Sequence, residues 1–147
     1  MKNRHEQDMS RILAIDYGLR RTGIAVTDPL KIIATALTTT PTAELMDFLA
    51  RYCQAEPVEL FVVGLPLYPD GNPAQIAGAV DEFVEKLRKQ FPDKPVVRQD
   101  ERYTSNEAKR IILQSGVKKQ KRRDKSLVDK IAAALILEQY MQDHYWT

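Results

Sequence analysis

The run Arg11-Ile-Leu-Ala-Ile-Asp-Tyr-Gly-Leu-Arg-Arg-Thr-Gly-Ile-Ala-Val26 is apolar except for one carboxylate and a basic turn bounded by glycines. Ile12 to Ile15 is too short for a helix and contains β-branched residues, and after Gly18 and Gly23 the apolar pattern resumes at Ile24-Ala25-Val26. This spacing predicts a buried strand, a turn and a returning strand. Asp16 then ends a strand covered on both faces, where a carboxylate loses much of its hydration. Such a group holds a proton, meets a counter-charge or binds a metal. The alternative is an aspartate that caps the turn through its own backbone.

The rest of the chain reads as one α/β unit. Ile32 to Thr40 is rich in β-branched residues and predicts a third strand, completing an antiparallel meander. Pro41 and Thr42 open a helix carrying Leu45, Phe48, Leu49 and Tyr52 on one face. Leu60-Phe-Val-Val63 is the next buried strand, reached by a right-handed parallel crossover. The loop from Leu65 to Pro73 is dense in turn residues. Ile76, Val80, Phe83, Val84 and Leu87 then mark a helix to about Gln90, and Val96-Val97 forms a short strand that delivers Asp100-Glu101-Arg102-Tyr103. Thr104 with Glu107 makes a capping box for a helix containing Ala108, Ile111 and Ile112, with Gly116 at its C-cap. A last helix runs from about Ser126 through Tyr140, with Val128, Ile131, Ala132 and Leu135 toward the core. The expected fold is a mixed five-stranded sheet, a three-strand antiparallel meander plus parallel strands, flanked by helices.

Composition narrows the class. With 147 residues and 44% hydrophobic content the chain suits a single domain over 11–147, preceded by a polar tail over 1–10 expected to be disordered. Met1 to Ser10 lacks the apolar core of a signal peptide, and no apolar stretch is long enough to span a membrane, so a cytoplasmic protein is expected. Cys53 is the one cysteine and reads as a packing residue, while His5 and His144 lie near opposite ends, which argues against a zinc site. The net charge of +2 is small but uneven. Lys118, Lys119, Lys121, Arg122, Arg123 and Lys125 crowd one eight-residue stretch, which suits either phosphate contacts or a solvated loop.

Three acids can converge in such a fold. Asp16 and Glu101 come from strand ends expected near the middle of the sheet, and Asp129 lies in the first turns of the last helix. Ala132 and Ala133 beside Asp129 would let that helix approach the sheet closely. Three carboxylates in a partly desolvated site repel one another unless cations neutralise them, and the natural guests are hard divalent ions, Mg2+ or Mn2+. Two such ions about 4 Å apart can bind a scissile phosphate between them. Taken singly, Glu101 could pair with Arg102 at the surface, and Asp129 could serve as a favourable helix N-terminal charge.

Four stretches together carry a resemblance. Ile15-Asp16-Tyr17-Gly18 with Thr22-Gly23-Ile24-Ala25-Val26, Val63-Gly64-Leu65-Pro66-Leu67 with Asp70-Gly71, Asp100-Glu101-Arg102-Tyr103-Thr104-Ser105, and Val128-Asp129-Lys130-Ile131-Ala132-Ala133 with Leu137-Glu138 resemble the YqgF family, also called RuvX, from Arg11 to Tyr140. Tyr103 departs from the leucine that members often carry after Asp-Glu-Arg. The resemblance implies an RNase H-like fold and a metal-dependent nuclease whose acidic positions fall on Asp16, Glu101 and Asp129. Members have been described as Holliday junction resolvases and as nucleases maturing the 5′ end of precursor small-subunit ribosomal RNA. On this reading Asp16 bridges two Mg2+ or Mn2+ ions and the other acids complete their coordination. Apart from the resemblance, Arg20 and Arg21 could contact the nucleic-acid backbone or form a solvated turn, Arg102 could bind phosphate or hold Glu101, and Lys118, Lys119, Lys121, Arg122, Arg123 and Lys125 suit a wider electrostatic landing surface. A monomer and a homodimer are both compatible with the sequence.

Two rivals remain at this stage. The Asp16 hairpin also resembles the phosphate-binding hairpin of sugar kinases and actin-like ATPases, but that architecture needs two such domains and this length supplies one. The other rival is an RNA-binding assembly factor that keeps the fold and acids with little turnover.

Overall fold

The computed structural model describes residues 9–66, 70–71, 74–101, 111 and 125–146. Five strands, β1 (Arg11–Asp16), β2 (Arg21–Thr27), β3 (Ala34–Pro41), β4 (Val58–Leu65) and β5 (Val96–Asp100), form one sheet in the order β3-β2-β1-β4-β5. β1 runs antiparallel to β2, and β2 to β3; β1 pairs in parallel with β4, and β4 with β5. This is the mixed five-stranded sheet expected from the sequence. Three helices cover it: α1 (Leu45–Ala55), entered through a 3-10 turn at Thr42–Glu44, α2 (Ala77–Gln90) and α3 (Lys125–His144).

The central position of β1 explains its unbroken apolar run. Ile12, Leu13, Ala14 and Ile15 are all fully buried because successive side chains enter opposite cores. Leu13 and Ile15, with Ile24, Val26, Phe61 and Val63, meet Leu45 and Leu49 of α1 and Val80, Phe83, Val84 and Leu87 of α2. Ile12 and Ala14, with Ala25 and Val62, meet Ala133, Ile136, Leu137, Tyr140 and Met141 of α3. By this alternation Asp16 falls on the α3 face.

Several elements differ in detail from the sequence reading. β3 begins at Ala34, and Ile32 and Ile33 are exposed. The reason is Asp28, whose carboxylate accepts hydrogen bonds from the N–H groups of Leu30, Ile32 and Ile33 and so draws them out of the ladder. α3 presents Ala133, Ile136, Leu137, Tyr140 and Met141 to the core, whereas Val128, Ile131 and Leu135 are only half-buried. The helix is apolar around much of its circumference, so periodicity alone could not select its buried face. Trp146 donates its indole N–H to the Lys31 carbonyl at 2.8 Å, tying the end of the chain to the β2–β3 turn. Cys53 is a free, half-buried thiol at the margin of the α1–α2 core, and burial pushes its pKa up. The helix expected over Thr104, Glu107, Ala108, Ile112 and Gly116 lies outside the described residues, as does most of the tail. No helix among the described residues is long and apolar enough to cross a membrane.

One buried hydrogen bond closes the end of the β1–β2 ladder. Beyond the Leu13–Val26 pair, the Ile12 N–H is satisfied by the hydroxyl of fully buried Thr27 on β2 at 3.0 Å. Thr27→Val keeps the shape but strands that donor. We expect it to lower unfolding free energy by about 1–3 kcal/mol, read as a reduced urea midpoint at unchanged slope.

Candidate active site

Asp16 ends β1, at the carboxyl ends of the three parallel strands, where open α/β sheets build their sites. Its ladder partner on β2 is Gly23. On the other side, β4 continues from Val63, the partner of Ile15, to Gly64, which pairs with Gln99 of β5. Asp16 is therefore flanked by a glycine on each neighbouring strand.

Both glycines make room for another acid. A Cβ on Gly23 would collide with the backbone carbonyl of Asp129, so α3 rests directly on β2 at the residue that carries the carboxylate. Ala132 and Ala133 are buried as expected, but the tightest approach is made at Gly23. A Cβ on Gly64 would lie 2.6 Å from Glu101 Oε2. Glu101 follows β5, and its N–H extends the ladder to the Leu65 carbonyl at 3.3 Å. Here the structure corrects the expectation that both strands lie near the middle of the sheet: β1 is central, but β5 is an edge. The carboxyl of Glu101 reaches Asp16 across the bare backbone of Gly64.

The turn between β1 and β2 is braced by two threonines. The Thr42 hydroxyl donates to the Gly18 carbonyl at 2.6 Å and lies 2.9 Å from the hydroxyl of buried Thr22, while the Thr42 N–H donates to the Arg20 carbonyl. A Cβ on Gly18 would strike the Arg21 carbonyl. Arg20 is exposed at the tip. Arg21 turns to α3, where its Nε donates to Asp129 Oδ2 at 2.9 Å.

The electrostatics follow from crowding. Burial pushes the Asp16 pKa up to about 6, against the hydrogen bond it receives from Glu101 and with the help of the Asp129 charge. Burial also pushes Glu101 up to about 9, reinforced by the Asp16 charge and its hydrogen bond and opposed by Arg98. Both shifts favour one proton held between the two carboxyls near neutral pH. Asp129 lies near enough to act on Asp16, yet its carboxylate is engaged by Arg21, and among the described residues no group of three acids, histidines or cysteines is drawn together tightly enough to hold a metal ion.

Arg98 was not singled out from the sequence. It donates to Asp81 at 3.0 Å and to the Gly64 carbonyl at 3.4 Å, and its buried Nε has no partner among the described residues. Three residues before Glu101, it points to the opposite face of β5, so only the pairing of β5 with β4 brings its charge to the site. Lys125 is the first residue of α3. Arg102, Lys118, Lys119, Lys121, Arg122 and Arg123 lie outside the described residues.

The topology and the acids at the strand ends define an RNase H-like α/β protein. A family model described as RuvX, Holliday junction resolvase, matches residues 10–143. The chain belongs to this family, known also as YqgF. It is 51% identical over 135 residues to a candidate pre-16S rRNA nuclease of Porphyromonas gingivalis, covering 92% of this chain and 98% of that one. A protein of the same description from Christiangramia forsetii is 48% identical over 135 residues, covering 92% of this chain and all of its own length. The fold also matches T. thermophilus RuvC, solved in complex with a Holliday junction substrate, with a TM-score of 0.57 at 16% identity over 93% of this chain and 97% of that one.

The raised carboxyl pKa values have a sign that can be tested. Both lie above their ordinary values of 3.8 and 4.5, so the folded state binds more protons than the unfolded chain. In chelator, this pair favours folding most below about pH 4 and increasingly opposes it as pH rises toward about 9. Urea titrations across this range should show wild type losing stability relative to Asp16→Asn as pH increases. A constant difference between the two proteins would contradict the shared proton.

Proposed function

We propose that this chain is a metal-dependent endonuclease that matures the 5′ end of the small-subunit ribosomal RNA precursor. The observation that carries the reading is the half-buried Asp16–Glu101 pair, brought together across the bare backbone of Gly64 at the carboxyl ends of the parallel strands, with the Asp129 charge nearby. A site kept for structure alone would gain nothing from drawing these acids together. The names of the full-length relatives, aligned over nearly their whole length, support RNA as the substrate.

Asp16, Glu101 and Asp129 are the residues that would hold Mg2+ or Mn2+, and the donor set fits, being all carboxylate oxygen. A bound pair of such ions supplies Lewis acidity at the phosphate and ionises water near neutral pH. Asp16 and Glu101 must give up their shared proton when they become ligands, which makes loading weaker in acid. Gly23 lets the backbone of Asp129 pack against β2, and Gly64 leaves room for the Glu101 carboxyl beside it. Arg20 and Arg21, on a turn held by Thr22 and Thr42, offer cations to the phosphate backbone, and the basic run from Lys118 to Lys125 adds charge for non-specific capture.

The family description favours a second reading, resolution of four-way DNA junctions, which would call for two sites presented by a dimer. A cleavage assay separates the readings. A precursor rRNA leader and a four-way junction are incubated with Mg2+ or Mn2+ and wild type or Asp16→Asn. The expected result is cleavage of the RNA, lost in chelator and reduced at least about a hundredfold by the substitution. Preferential symmetric cutting of the junction would favour the resolvase. Equal RNA binding by both proteins with no cleavage of either substrate would leave a non-catalytic assembly factor.

A further inference from the structure

The contact between Arg21 and Asp129 joins a cation assigned to phosphate with a carboxylate assigned to metal. Its 2.9 Å separation is that of a direct, charge-assisted hydrogen bond. The backbones on both sides are pinned. Arg21 opens β2 opposite Pro41, and its carbonyl packs against Gly18. Asp129 is held by the packing of its own carbonyl on Gly23, and the start of its helix is tied to β3 by the Thr39 hydroxyl, which donates to the Ser126 carbonyl at 2.5 Å. The side-chain tips, by contrast, retain solvent access, at 41% for Arg21 and 24% for Asp129. Rigid backbones with free tips make a contact that can open and reclose without any change in the fold.

Charge counting indicates what opens it. The third carboxylate is occupied by a guanidinium while the other two hold each other. A divalent ion seated at Asp16 and Glu101 would compete with Arg21 for Asp129, because metal coordination and the guanidinium hydrogen bond use the same carboxylate oxygens. Arg21 would then be released beside the ion, where the scissile phosphate must lie.

We propose that Arg21 is a stand-in cation for Asp129, holding that carboxylate in the metal-free protein and passing to the substrate phosphate when the metal takes its place. The proposal rests on the metal-site reading above and adds a coupling to it. Metal and nucleic acid each remove one partner from the same ion pair, so each tightens the binding of the other, and the coupling is reciprocal. Arg21 is thus a positioning residue toward the metal and a binding residue toward the phosphate.

Calorimetric titration of Mn2+ into the full-length protein tests this, with wild type, Arg21→Gln, Arg21→Lys and Asp16→Asn compared in the absence of nucleic acid. Arg21→Gln removes the competitor and should bind Mn2+ about two- to fivefold more tightly, the range expected for an exposed ion pair. Arg21→Lys keeps the charge and should stay near wild type. With a single-stranded RNA oligonucleotide and Ca2+, wild type should show metal-enhanced RNA binding that shrinks in Arg21→Gln. Unchanged or weaker Mn2+ binding by Arg21→Gln, with binding lost in Asp16→Asn, would overturn the stand-in role and leave the metal site intact. If Asp16→Asn also bound Mn2+ like wild type, the metal site itself would fall, and this inference with it. Should Arg21→Gln fail to fold, the Nε–H resonance of Arg21 in the wild type serves instead. It should move toward the position of a solvated guanidinium on Mg2+ addition, and a resonance that stays fixed would overturn the proposal.

Discussion

A carboxylate at the end of the central strand is the constraint on which this molecule turns. Asp16 cannot be solvated as it would be in water, and two more acids are brought toward it. The protein accommodates them by removing side chains: Gly23 and Gly64 flank Asp16, one admitting α3 and the other the side chain of Glu101. Neither acid could approach a sheet of ordinary residues so closely. The remaining repulsion is met by the hydrogen bond between the Asp16 and Glu101 carboxyls and by the guanidinium of Arg21 on Asp129.

The mixed sheet suits this arrangement. Its parallel half places the carboxyl ends of β1 and β5 together, while its antiparallel half returns the chain from Asp16 through a short turn and presents Arg20 and Arg21 at the same end. The sheet is covered by α1 and α2 on one face and α3 on the other, so the acids sit at a sheet end rather than in a hole within it. Function and stability are thereby separated in space. The two apolar cores occupy the middle of the strands, and the unfavourable charge is confined to one rim, where a polyanion can reach it.

Much of this was legible in the chain. The five strands, their mixed pairing and the three described helices follow from apolar periodicity and from glycine and proline punctuation, because those patterns report burial residue by residue. Asp16 stood out because a lone charge in an apolar run violates the pattern around it. The failures share a cause. The start of β3 was misread because Asp28 takes over the N–H groups of Ile32 and Ile33, a competition invisible to periodicity. The buried face of α3 was rotated because the middle of that helix, Ile131 to Leu137, is apolar all round. Arg98 escaped notice because its relation to Glu101 exists only once β5 is paired with β4.

By itself, the sequence determined the local conformations and the fold class and marked three acids as candidates, since each depends on properties of near neighbours along the chain. Tertiary structure decided which glycine faces which carboxyl, that Glu101 crosses from an edge strand to the central one, and that Arg21 holds Asp129. These are contacts between residues tens of positions apart, and their geometry depends on strand register and helix rotation. A shift of one residue in either would turn every side chain involved to another face. No one-dimensional pattern encodes that choice; the close packing of the two cores makes it.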